Sequence, residues 1–228
     1  MNDPYIDKNT GVLKNILGIT DKKVLKQAEA DICLPKIITA GKFFSNKYDV
    51  DFIKKIHKHI FEDIYPWAGE FRTTPIYKIE RVIPGLSLEY TAPKRITKEL
   101  EDNLETLNCI EWNKLSLDDK AKKFTRLLAR IWRIHPFRDG NTRTMMTFAY
   151  LYSRDKGFPI DLSVLIPHLT RTVDENGKVI NYSIRDKLVL ASLDDKDYPE
   201  PEHLELVIKK AMISGIKKKE DAERDFME

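Results

Sequence analysis

Residues 116–157 read SLDDKAKKFTRLLARIWRIHPFRDGNTRTMMTFAYLYSRDKG. Ala121, Phe124, Leu128, Ile131 and Trp132 recur at three- and four-residue steps, the spacing of one helical face. Ser116 stands where an N-cap belongs. Pro136 disfavours helical backbone in the residue before it, so this helix should end at His135. A second helix should open at Gly140-Asn141 and carry Met145, Phe148, Ala149 and Tyr152 toward Gly157. Two apolar helices joined by a short polar loop predict a mostly α fold.

The same period appears on both sides. Phe52, Ile53, Ile56, Ile60 and Ile64 form one stripe, closed by Pro66; Ile96, Leu100, Leu104 and Leu107 form another after Pro93. Further helices are expected at 21–34, 182–193 and 201–224, the last two opened by Ser183 and Pro201. Residues 71–92 break the pattern with β-branched and aromatic side chains around Pro84-Gly85, which reads as a hairpin; residues 172–183, with Asn176-Gly177, are a second candidate. A surface loop is the plain alternative for each. Nothing marks a domain boundary, so residues 1–228 are expected to form one domain. Its core would be about 50–160, with a leader over 1–48 lying across the helices at its start and C-terminal helices within 182–226.

Composition narrows the function classes. Hydrophobic residues at 42% and charged residues at 33% are the balance of a soluble globular chain. No run approaches the roughly 18 apolar residues that cross a membrane, and the N-terminus lacks a signal-peptide pattern, so a cytoplasmic location is expected. A net charge of +3 is too mild to indicate nucleic acid. Cys33 and Cys109 have no metal-ligand pattern and are expected to be buried free thiols. His57 and His59, two apart on a helix, face different ways and cannot bind zinc together; with His168 and His203 they read as structural or surface residues.

The loop between the two apolar helices runs His135-Pro136-Phe137-Arg138-Asp139-Gly140-Asn141-Thr142-Arg143. The helix after it presents unpaired N–H groups and the positive end of its dipole, a ready anion site. Gly140 permits close approach, and Arg143 can offer a charged fork to phosphate oxygens. Asp139 is a hard ligand suited to Mg²⁺, and His135 is the side chain suited to take a proton near neutral pH. Together these are the parts of phosphoryl or nucleotidyl transfer. A histidine at a helix end is also commonly a capping or packing residue, and the residues alone leave that reading open.

HPFRDGNTR resembles the signature of the Fic family, HPFx[D/E]GN[G/K]R. Residues 56–69, IHKHIFEDIYPWAG, resemble the helix and turn before the flap of Fic proteins; Thr10-Gly11-Val12-Leu13-Lys14-Asn15 and Leu17-Gly18-Ile19 resemble the leader of many bacterial members. The resemblance spans about residues 10–160 and implies a Fic-type helical bundle with a β-hairpin flap. It implies a protein adenylyltransferase that moves AMP from ATP to a Ser, Thr or Tyr hydroxyl of a target protein, or of itself. His135 would be the general base and Asp139 the Mg²⁺ ligand. Gly140, Asn141 and Thr142 would form the anion hole, and Arg143 would bind the departing phosphates. Phe137 would anchor the loop. The 71–92 hairpin would be the flap that pairs with the target, and Ile83 near its tip a clamp.

Three departures matter. Thr142 replaces the Gly or Lys of the signature, and the Doc branch, which phosphorylates, carries Lys there. Met146 stands where many adenylylating members have a second arginine. The inhibitory Ser/Thr-x-x-x-Glu motif finds no match in 21–34 or near the C-terminus, which implies an enzyme not held off by that glutamate. A Doc-like kinase, a transferase of another nucleotide, and a silent interaction or toxin-type protein remain alternatives. The mild charge and exposed helices permit a homodimer.

Overall fold

The computed structural model describes residues 3–42, 47–82, 87–193 and 201–227. Seven α-helices are present among them: α1 Lys22–Thr39, α2 Val50–Phe61, α3 Ile96–Asn108, α4 Leu117–Ile134, α5 Asn141–Asp155, α6 Ile184–Ser192 and α7 Glu202–Met227. Two antiparallel hairpins join them, β1 Tyr77–Ile79 with β2 Ser87–Glu89, and β3 Thr172–Val173 with β4 Val179–Asn181. The fold is mostly α with small hairpin sheets, as the periodicity predicts.

The helix ends follow local chemistry. Asp21, Asp49, Ser116 and Ser183 each cap a helix by accepting from first-turn N–H groups. Ser183 and Asp186 complete a capping box. Two expected boundaries move. α2 stops at Phe61 rather than running to Pro66, although Ile64 stays buried, because its carbonyl accepts from Ile16 N–H of the leader at 2.9 Å. α1 passes through Pro35 to Thr39 instead of ending at residue 34. The Thr39 hydroxyl bonds the Pro35 carbonyl there at 3.0 Å.

α4 is the central helix, packed against α3, α5, α6 and α7, while α2 covers α5. Trp132, Phe124, Phe148 and Tyr152 are fully buried in one apolar cluster that extends from Val12 to Met212. The N-terminal segment reaches this body through Val12, which is buried in the core, and Asp3 pairs with Arg138 of the loop after α4 at 2.7 Å. In the first hairpin Lys78 stands opposite Leu88. Pro84-Gly85 and Ile83 lie outside the described residues. Gly177 supplies the positive φ of the second hairpin's turn. Both thiols are free, but Cys109 is exposed rather than buried, since it caps the end of α3. No helix among the described residues is long and apolar enough to cross a membrane.

Candidate active site

The loop between α4 and α5 is built around two left-handed residues. His135 caps α4 at φ 53°, the one non-glycine residue with positive φ among those described. Its N–H still reaches the Trp132 carbonyl at 3.0 Å. Gly140 opens α5 at φ 79°. A Cβ there would stand 2.4 Å from the Phe61 ring, so glycine is required by packing as well as by backbone angle. Between them Phe137 is fully buried. Asn141 laces the turn: its Oδ1 accepts from Phe137 N–H at 2.9 Å and its Nδ2 donates to the Phe137 carbonyl at 2.8 Å. The Asn141 side chain is therefore spent on the loop, and its backbone N–H alone is left for an anion.

A pocket of about 100 Å³ opens on this loop, lined by Lys78, His135, Asp139, Gly140, Asn141, Thr142, Arg143 and Arg185. The first intrahelical bond of α5 runs from Thr144 N–H to the Gly140 carbonyl, so the N–H groups of Asn141, Thr142 and Arg143 precede it. His135 is 2% exposed, and its Nδ1 is sealed from solvent with no hydrogen-bond partner among the described residues. Nε2 is the nitrogen left to face the pocket. Burial, reinforced by the positive charges of Lys78, Arg185 and Arg72, holds the imidazole pKa well below its usual value. The ring is therefore neutral at neutral pH and able to accept a proton. Tyr90, just past β2, stacks on it with centroids 4.0 Å apart.

Arg143 lies over the Phe61 ring at 4.6 Å and pairs with Glu29 of α1 at 2.7 Å; Asp139 is 3.7 Å away. Burial opposes its charge, and Glu29, Cys33 and Asp139 more than offset that. The Thr142 hydroxyl accepts from the buried indole N–H of Trp132 at 3.1 Å, which draws this side chain toward the core.

Comparison with known proteins follows the same residues. The sequence profile described as the Fic/DOC family matches residues 47–153, from just before α2 through most of α5. Protein adenylyltransferase VbhT of Bartonella schoenbuchensis is 35% identical over 164 residues, 70% of this chain and 32% of that protein. The probable protein adenylyltransferase y4lH of Sinorhizobium fredii is 30% identical over 174 residues, 73% of this chain and 83% of its own length. The chain belongs to the Fic/DOC family. It spans about a third of the length of VbhT. Its fold is that of the crystal structure of BepC, a VirB-translocated effector of Bartonella tribocorum with bound AMPPNP, at TM-score 0.70 and 20% identity, covering 91% of this chain and 95% of that one.

Measured against the Fic signature, the structure brings His135, Asp139, Gly140, Asn141, Thr142 and Arg143 to one pocket. Ile83 lies outside the described residues. Met146 packs against the core from a half-buried position. The sequence reading missed Lys78 and Arg185, which complete the pocket wall, and Glu29, which meets Arg143 although α1 carries no inhibitory motif. It also set aside His57, which is buried and stacked on Phe137 at 3.7 Å. The apolar neighbours of His57 gave one usable signal, since a histidine on a buried helical face must find partners.

Proposed function

We propose that this chain is a protein adenylyltransferase that moves AMP from ATP onto a Ser, Thr or Tyr hydroxyl of a target protein, and onto itself, with His135 as general base. One observation carries the reading: a neutral His135 shares a single pocket with the free N–H groups of an α-helix N-terminus and with Arg143. The names of VbhT and y4lH support the same chemistry.

His135 Nε2 takes the hydroxyl proton as the target oxygen bonds to the α-phosphorus. The bond from that phosphorus to the bridging oxygen breaks, and diphosphate leaves with the electron pair. The N–H groups of Asn141, Thr142 and Arg143 receive the charge that builds on the phosphate oxygens. Arg143 steadies the departing diphosphate. Thr142 is not lysine, and its hydroxyl turned toward Trp132 keeps the hole close to the glycine form of AMP transfer.

Asp139 fits a Mg²⁺ that arrives with the nucleotide. It is the one carboxylate lining the pocket, its side chain is 41% exposed, and one oxygen already accepts from Gly140 N–H. Among the described residues no group of three or more His, Cys, Asp or Glu could hold an ion unaided. Asp139 would hold such an ion alongside phosphate oxygens and water, and the ion would supply neutralisation of phosphate charge. The flap would pair with an extended target segment through its main chain, with Ile83 as the clamp on the modified residue.

The test is incubation with Mg²⁺ and ATP labelled at the α-phosphate, beside His135→Ala, read by label and intact mass. The expected result is an added AMP that disappears in the variant. Transfer from γ-labelled ATP alone would replace the reading with a kinase. No transfer from either label would replace it with a silent interaction protein or a different nucleotide.

A further inference from the structure

Arg72 lies between the end of α2 and β1, at the start of the 71–92 stretch that reads as a hairpin, where the sequence assigns it no role of its own. It is 2% exposed, among the largest fully buried side chains of the protein. Burial pulls its pKa down, and among the described residues it forms no ion pair with any carboxylate. A buried guanidinium is costly unless every donor is met. Here the acceptors are all backbone carbonyls, and they come from two places.

One set belongs to the loop after α4. Arg72 Nε donates to the His135 carbonyl at 2.8 Å and Nη2 to that of Ile134 at 3.5 Å, while the Arg72 main-chain N–H bonds the Pro136 carbonyl at 2.9 Å. The other set belongs to the two roots of the flap. Nη1 donates to the Thr74 carbonyl at 2.9 Å, before β1, and Nη2 to the Thr91 carbonyl, after β2. One planar fork thus grips the base's own peptide and both ends of the hairpin. Lysine has the charge but not five donors in a fixed plane.

This grip falls on the one described non-glycine residue in the left-handed region. Such a conformation persists where the surroundings over-determine it. Hydrogen bonds from Arg72 to three consecutive carbonyls, those of Ile134, His135 and Pro136, do so here. The Arg72 charge is also one of those that depress the His135 pKa.

We infer that Arg72 is a positioning residue that locks the base His135 to the roots of the flap, so that a target strand seated on the flap is presented to a base already in place. The inference rests on the adenylyl-transfer reading for its purpose and on the geometry alone for its mechanism.

Two measurements need no catalysis. In wild-type protein the Arg72 Nε–H should give a separate NMR signal that exchanges far more slowly than those of surface arginines. The His135 ring should titrate further toward neutrality in Arg72→Gln than in wild type or Arg72→Lys, since lysine keeps the charge. Transfer kinetics supply the third: Arg72→Lys should lose kcat by about 10²-fold, the scale of a misplaced reacting group, with KM for ATP little changed. Fast exchange of the wild-type Nε–H would overturn the inference, as would a folded Arg72→Lys with wild-type kcat or an unmoved His135 titration in Arg72→Gln. If wild type transfers no label at all, the adenylyl reading fails, while the exchange and titration results still decide the position of Arg72.

Discussion

His57 Nε2 lies 3.1 Å from the carbonyl oxygen of Asp139, and its Nδ1 accepts from Gly69 N–H at 2.8 Å. Nδ1 is thereby the unprotonated nitrogen and Nε2 the donor, so one tautomer bridges the turn before β1 and Asp139 of the loop. The ring also stacks on Phe137 at 3.7 Å with planes 15° apart. A histidine that motif reading passes over is thus the floor of the site.

His57→Ala should lower unfolding stability by about 3 kcal/mol, since a packed ring and two buried bonds are lost. His57→Gln, which offers both a donor and an acceptor, should lose less. Burial holds the His57 pKa down at about 3, whereas an unfolded chain protonates it near 6.5. The unfolded state therefore binds more protons between those values. This contribution to stability is complete above about pH 6.5 and is lost as pH falls toward 3. Thermal melts from pH 7 to 4 should fall more steeply in wild type than in His57→Gln; parallel curves would refute the assignment.

His135, as the proposed base, should act without waiting for deprotonation. With the His135 pKa depressed by burial and by Lys78, Arg185 and Arg72, the acid limb of kcat/KM should lie well below pH 6.5. Lys78→Met removes one positive neighbour and should move that limb upward. A limb at the same pH in both proteins would show that Lys78 does not act on His135.

Gly140→Ala meets two obstacles at once, a positive φ and the Phe61 ring 2.4 Å from the new Cβ. Urea unfolding should register a loss of about 2–4 kcal/mol. Label transfer should fall with it, because the α5 N-terminus is displaced. Near-wild-type stability would mean that the loop relaxes around Phe61.

Thr142 is tested by its Trp132 bond. Thr142→Val leaves a fully buried indole N–H without an acceptor and should destabilise by about 1–3 kcal/mol. Thr142→Ser should be close to neutral. Equal unfolding midpoints for Val and Ser would remove the hydroxyl from the account.

Glu29 shares Arg143 with any phosphate that enters. Glu29→Gln removes the competing charge, and affinity for a non-hydrolysable ATP analogue should rise about tenfold, or roughly 1.4 kcal/mol. Calorimetry reads this directly. A weaker binder would mean instead that Glu29 serves to aim Arg143.

The helical body was legible because burial repeats with the helix. The stripes through α2, α3, α4 and α5 were each readable from apolar spacing alone, and Pro136 marked the break between the last two. The end of α2 was not, because the leader carries the Ile16 amide that takes the Ile64 carbonyl. Nor was the course of α1 beyond Pro35, since proline argues for a stop and the packed helix overrides it.

By itself the sequence determined that this is a Fic-type helical fold. It also determined that His135, Asp139 and Arg143 share one loop at a helix N-terminus, since neighbours in the chain stay neighbours in space. Tertiary structure alone decided what state those groups are in. His57 is 82 residues from Asp139, Arg72 is 63 from His135, and Glu29 is 114 from Arg143. Periodicity records which face of an element is buried and carries no record of what it is buried against. The charge on His135, the tautomer of His57 and the grip of Arg72 all depend on that second fact.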